Sequence, residues 1–238
     1  MSSHFSTQSE FSGSRRTPWG RATGVRAVLD SWRQNPKLYP QIVLDAHLDG
    51  ASAQYVDLPE DIAPGIRTAL EARGIERLFS HQAKARELGK AGQHYVIATP
   101  TASGKSLCYN LPVLEALAQR DDTRALYLFP TKALSRDQEE VLRSLMTDAG
   151  LSHGALTYDG DTPADARRAG RERSGILLTN PDMLHAGILP HHASWARFFA
   201  NLEYVVIDEL HTYRGVFGSH LANLVRRLKR IAAFHGAN

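Results

Sequence analysis

The chain has 238 residues, 42% of them hydrophobic, enough to bury a sizeable core in one large domain or in one domain with an appendage. Its formal charge of +3 permits a polyanionic partner without requiring one, and the single cysteine, Cys108, excludes an intrachain disulfide or a cysteine-cluster zinc site. No apolar run approaches a membrane span and Met1 to Gly20 have no hydrophobic signal core, so no membrane partner and a cytoplasmic location are expected.

Residues 1–24, rich in Ser, Thr, Gly and Arg, read as a flexible tail. Val25 to Trp32 has the spacing of a short helix ended before Pro36, and a connecting arm follows with an extended piece near Gln41 to Leu44. Tail and arm together are assigned to residues 1–57, and the folded domain to 58–238. Ile66 to Ala72 predicts a helix capped by Gly74, and Ser80 predicts the N-cap of another that runs to about Gly89. On it, Gln82 carries a carboxamide able to donate and accept at an adenine edge, although an ordinary surface glutamine looks the same.

Tyr95-Val96-Ile97-Ala98 is too short for a helix and reads as a buried strand. It feeds the loop Thr99-Pro100-Thr101-Ala102-Ser103-Gly104-Lys105-Ser106. A strand, a tight loop and a helix in that order can cradle phosphate oxygens, with Lys105 on β- and γ-phosphates and Ser106 on Mg2+, although a plain turn with a solvated Lys and Ser looks the same. Thr99 stands where such loops usually have their first glycine.

Lys105 to Leu117 predicts a helix bent at Pro112, with Cys108 on its apolar face. Buried strands are predicted at Ala125–Phe129, Ala155–Tyr158, Gly175–Thr179 and Tyr204–Ile207, with helices between them and a last helix from Phe217 to Phe234. Such alternation argues for a mainly parallel sheet with helices on both faces and ligand groups at the carboxyl ends of its strands. Asp208 and Glu209 follow the last strand. One could hold a metal ion while the other orients an attacking water, or the pair could simply cap a turn.

Taken in order, Thr99 to Ser106, Pro130-Thr131-Lys132-Ala133-Leu134, Thr179-Asn180-Pro181-Asp182 and Asp208-Glu209-Leu210-His211 resemble motifs I, Ia, Ib and II of superfamily 2 DExH-box helicases. The continuation from Asp208 to His220 is most similar to the MrfA/Hrq-type branch of RecQ-like DNA repair helicases. The resemblance implies a RecA-like P-loop NTPase fold that ends before motif III and carries an N-terminal extension. It implies ATP held by Lys105, with Gln82 sensing adenine, Mg2+ handled by Ser106 and Asp208, and water activated by Glu209. It further implies single-stranded nucleic acid, DNA ahead of RNA, lined by Thr131, Lys132, Thr179 and Asn180, with His211 coupling the two sites. A second RecA-like domain, and a motif III strand between the phosphate-loop strand and the Asp208 strand, would come from the rest of a longer polypeptide, leaving little turnover in this chain alone. A helicase-derived module that binds nucleotide without turnover is the alternative.

Overall fold

The computed structural model describes residues 25–43, 53–100 and 103–237, apart from the Arg26 side chain. The chain divides into two units, residues 1–52 and 53–238. In the first, α1 (Val25–Gln34) precedes a single 3-10 turn at Tyr39–Gln41. The expected tail, residues 1–24, and residues 44–52 of the arm lie outside the described residues. Gln41 ends the 3-10 turn, and extended backbone begins only at Ile42.

In the second unit, β1 (Tyr55–Asp57) pairs antiparallel with β2 (Arg77–Phe79), so residues expected in the arm belong to the folded unit. Between them α2 (Pro64–Glu71) buries Ile66, Ala69 and Leu70, one helical stripe, and the turn beyond it closes at Gly74 with φ +72°. Helix α3 (Ser80–Lys90) starts one residue earlier than expected, with Phe79 as N-cap. Gln82 causes the shift, because its Oε1 accepts from the Phe79 N–H at 2.9 Å. Helix α4 (Lys105–Gln119) joins α3 through a buried pair in which Arg86 Nε and Nη2 donate to Glu115 Oε2 and Oε1 at 2.8 and 2.7 Å.

The main sheet is built from β3 (Arg124–Leu128), β4 (Gly154–Thr157), β5 (Ser174–Thr179) and β6 (Leu202–Ile207), all parallel, in the order β4-β5-β3-β6. Every residue of β3 and β5 is buried, as strands covered on both faces require. Alternation sends Ala125, Tyr127, Ile176 and Leu178 to one face, against α2, α4 and α5 (Lys132–Asp148). Leu126, Leu128 and Leu177 go to the other face, against Leu221, Leu224 and Leu228 of α9 (Gly215–Phe234), the last helix once α6 (Ala164–Arg173), α7 (Pro181–Met183) and α8 (Ala196–Ala200) are numbered. A stretch that sequence patterning left unassigned completes this second face. After α7 come a π turn (Leu184–Ile188), a 3-10 stretch (Leu189–Trp195) and α8, which together bury Leu184, Ile188, Leu189, Trp195, Phe198 and Phe199.

The expected strand at Tyr95–Ala98 does not form, and Val96 is 76% exposed. A parallel strand needs a neighbour's hydrogen-bond ladder, and among the described residues none lies beside this segment. A side chain holds it instead. Pro112 lies within α4 and has no N–H, which frees the carbonyl of Cys108 four residues earlier. The Tyr95 hydroxyl donates to that carbonyl at 3.0 Å. Cys108 is buried as expected, and burial pushes its thiol up to about 11. The far side of β6 is likewise unpaired among the described residues, with Val205 41% exposed.

Candidate active site

Parallel strands deliver their carboxyl ends to one edge, so the segments after β3, β5 and β6 emerge together there. Of the phosphate loop, Thr99, Pro100 and Ser103–Ser106 are described, and Thr101 and Ala102 lie outside the described residues. Gly104, at φ +70° and ψ 30°, turns the loop into α4. A Cβ there would stand 2.5 Å from Gln82 Nε2 and would displace that carboxamide, and the left-handed backbone itself favours glycine. Lys105 folds back on its own loop, where its ammonium donates to the carbonyls of Thr99 and Pro100 at 3.0 and 2.9 Å. The Thr99 and Ser103 hydroxyls bond each other at 2.6 Å, and His81 Nε2 donates to the Ser103 carbonyl at 2.9 Å.

Gln82 is 4% exposed, and both ends of its carboxamide are engaged, Oε1 by Phe79 and Nε2 by the Gly104 carbonyl at 2.9 Å. In this arrangement it is a clasp on the phosphate loop.

The second cluster meets the first at a tyrosine. Tyr109 lies one turn after Lys105 and Ser106, and its hydroxyl donates to Asp208 Oδ2 at 3.0 Å. Burial first, and then the Asp208 charge, hold that hydroxyl far above the ordinary tyrosine range, while a bond with the Ser106 side chain acts in the opposite sense. Tyr109 therefore ties α4, one turn after Lys105 and Ser106, to Asp208. Asp208 Oδ1 accepts from the Glu209 N–H at 2.8 Å, and among the described residues no Lys or Arg pairs with the carboxylate. Glu209 has φ +49° and is the only non-glycine residue in the left-handed region among those described. Its Oε2 lies 3.3 Å from His211 Nδ1, on a 3-10 turn (Leu210–Thr212) anchored by Thr212, whose hydroxyl donates to the Glu209 carbonyl at 2.9 Å.

The residues expected to line a strand differ in what they can offer. Thr131 is exposed and caps α5 through its hydroxyl, and Asn180 Oδ1 caps α7 by accepting from Met183 N–H at 2.8 Å. The exposed Lys132 ammonium donates to Asp161 Oδ2 at 2.9 Å. Thr179, the last residue of a strand expected to be buried, differs from the other three. It is 1% exposed and its hydroxyl donates to the Tyr158 carbonyl at 2.7 Å, so it fixes the end of β5 and presents no group to a ligand. Tyr109 is the residue that sequence reasoning missed. The available signal was its place three residues after Ser106 and four after Lys105, on the same face of α4.

Residues 79–236 match the model of the DEAD/DEAH box helicase family. The chain belongs to that family. An uncharacterized ATP-dependent helicase, YprA of Bacillus subtilis, is 54% identical over 181 residues, covering 76% of this chain and 24% of its own length. The ATP-dependent helicase hrq1 of Schizosaccharomyces pombe is 36% identical over 91% of this chain and 21% of its own. Among solved structures, the DUF1998 helicase MrfA bound to DNA and AMPPNP superposes with a TM-score of 0.78 at 52% identity, over 80% of this chain and 27% of that one. This DEAD/DEAH box chain thus spans about a quarter of the length of these relatives. Its RecA-like α/β fold and its place in the MrfA/Hrq branch agree with the motif reading.

Proposed function

We propose that this DEAD/DEAH box chain forms the part of an ATP-dependent DNA helicase that binds Mg-ATP and one face of a single strand. The observation that carries the reading is the 3.0 Å bond from the Tyr109 hydroxyl to Asp208, which ties the helix that begins with Lys105 and Ser106 to the acidic pair. The donor set fits the ligands. Lys105 has only two neutral carbonyls as described partners, so triphosphate oxygens can replace them at a gain. Asp208 is a half-buried carboxylate without a cationic partner among the described residues, and with the Ser106 hydroxyl it offers the oxygen ligands that Mg2+ takes. When bound, Mg2+ neutralises charge that develops on the transferred phosphoryl group.

Lys105 then positions the β- and γ-phosphates, and Gln82 passes occupancy at the adenine to the loop through Gly104. Glu209 holds the attacking water and takes its proton, and His211 links that carboxylate to the strand. Thr131, Lys132 and Asn180 contact backbone phosphates, Lys132 by exchanging Asp161 for phosphate. Such contacts carry no base specificity and weaken with salt. A second RecA-like domain and a strand beside β6, from sequence outside these residues, complete the cleft. The open β6 edge and the unpaired Tyr95–Ala98 segment support that reading. DNA repair in the cytoplasm is the setting we propose, from the likeness of the Asp208–His220 stretch to DNA repair helicases.

The test measures melting temperature with Mg-ATP, and ATP hydrolysis with and without single-stranded DNA in the complete protein. Saturating ligand at about a hundred times its dissociation constant adds about 2.7 kcal/mol. Lys105→Ala should abolish the shift and the DNA-stimulated turnover. A shift that survives this change would place the nucleotide elsewhere.

A further inference from the structure

Helix α9 contains no Asp or Glu in its 20 residues, yet Arg226, Arg227, Lys229 and Arg230 cluster in its second half. Cations in the last turn of a helix complement its dipole, but this cluster stops short of that turn, so the dipole does not account for it. Nor do ion pairs. Elsewhere Arg73, Arg86, Arg120, Lys132 and Arg136 each face a carboxylate, whereas among the described residues none of the four α9 cations does. Arg226 donates to Asn223 Oδ1 at 3.0 Å, a neutral partner on the same helix.

The four cations line a groove of about 700 Å³ together with His185 and His220, whose rings meet edge to face at 5.2 Å. His220 Nε2 is buried without a hydrogen-bond partner among the described residues, so the groove wall carries an unsatisfied polar atom. His185 sits on the π turn that continues α7, and the N-cap of α7 is Asn180. The groove therefore adjoins the segment that carries one of the proposed strand contacts, yet it lies along α9 and away from the phosphate loop.

We infer that this groove is a second nucleic-acid contact, which holds the sugar-phosphate backbone by charge and not by sequence. Three of the four cations are guanidinium forks, which fit phosphate oxygens in pairs. A protein partner would demand an apolar or aromatic anchor, and the only aliphatic side chain in the lining, Leu224, is 2% exposed. The inference rests on the nucleic-acid reading of the family but not on the nucleotide site.

The probe is a fluorescent oligothymidine and its duplex counterpart, titrated at several salt concentrations against the wild-type chain and against Arg226→Gln with Arg227→Gln, Lys229→Gln and Arg230→Gln. Affinity should fall at least about tenfold, and the log-log salt slope should become shallower by about 0.7 for each phosphate of the single strand that the variant no longer neutralises. Unchanged affinity and slope in a folded variant overturn the inference, as does tighter binding of a polyglutamate peptide than of the oligonucleotide. If the fourfold variant does not fold, Arg226→Gln with Arg230→Gln, both exposed, reads the same two outcomes. The Mg-ATP melting shift should survive these changes and vanish in Lys105→Ala, so failure of one reading is distinguishable from failure of the other.

Discussion

Glu209 is held at φ +49°, where an L-residue with a Cβ pays about 1 kcal/mol or more that glycine does not. Its ring neighbour contributes little in return, since His211 is 68% exposed at the side chain and exposed pairs are weak. Glu209→Gly should therefore raise stability by about 1 kcal/mol in denaturant unfolding while ATP hydrolysis by the complete protein falls below detection. A stability loss in that variant would show that the carboxylate serves the fold. The phosphate-loop lysine, its serine and the acidic pair were legible in the sequence because short local patterns announce them. Tyr109 was not, since its partner Asp208 arrives from another strand. The same limit hid the bond of the Thr179 hydroxyl to Tyr158 and that of Gln82 Nε2 to Gly104, whose partners lie 21 and 22 residues away along the chain.

At the scale of elements, α4 and the segment before the phosphate loop depend on one exchange of hydrogen bonds. Tyr95→Phe should cost about 1–3 kcal/mol by leaving the Cys108 carbonyl without a donor. In a Pro112→Ala background the helix regains its own N–H, and the same change should cost less than half as much. Equal costs in both backgrounds, measured by urea unfolding, would separate the proline from the tyrosine. The turn after β4 gives a pH signature. Asp159 is 3% exposed at its side chain, and burial opposes its charge. The Asp161 N–H, the Thr162 hydroxyl, Arg136 and Lys132 outweigh burial and lower its pKa. A lowered folded-state value means stabilisation that is present above the unfolded value of about 4 and lost as pH falls through the folded one. Asp159→Asn should be about 2 kcal/mol less stable at neutral pH, and its stability should vary less with acid. A parallel acid limb in both proteins would assign the effect to other carboxylates. The four strands of the sheet were readable because buried parallel strands are short apolar runs. Residues 184–200 were not, because π, 3-10 and α turns follow one another without a common period.

For the whole molecule, β4 and β6 are the two edges of the sheet among the described residues, and the β6 edge is the one that flanks the acidic pair. Asp208 N–H donates to the Leu128 carbonyl, so strand alternation directs the N–H groups of Val205 and Ile207 away from β3. Hydrogen exchange should be fast at Val205 and Ile207 and slow through β3, and in the complete protein the two fast sites should become protected. Equal protection of both strands in this chain would show that the edge is already covered. This open flank could not be read from Tyr95–Ala98, whose composition is that of a strand whether or not a neighbour exists.

Helix α9 begins just past the acidic pair and runs for 20 residues, about 30 Å, to the far side of the basic groove. Leu221, Leu224 and Leu228 pin that rod to the sheet through its middle, so the cations at 226 to 230 hold a fixed register with Asp208 and Glu209.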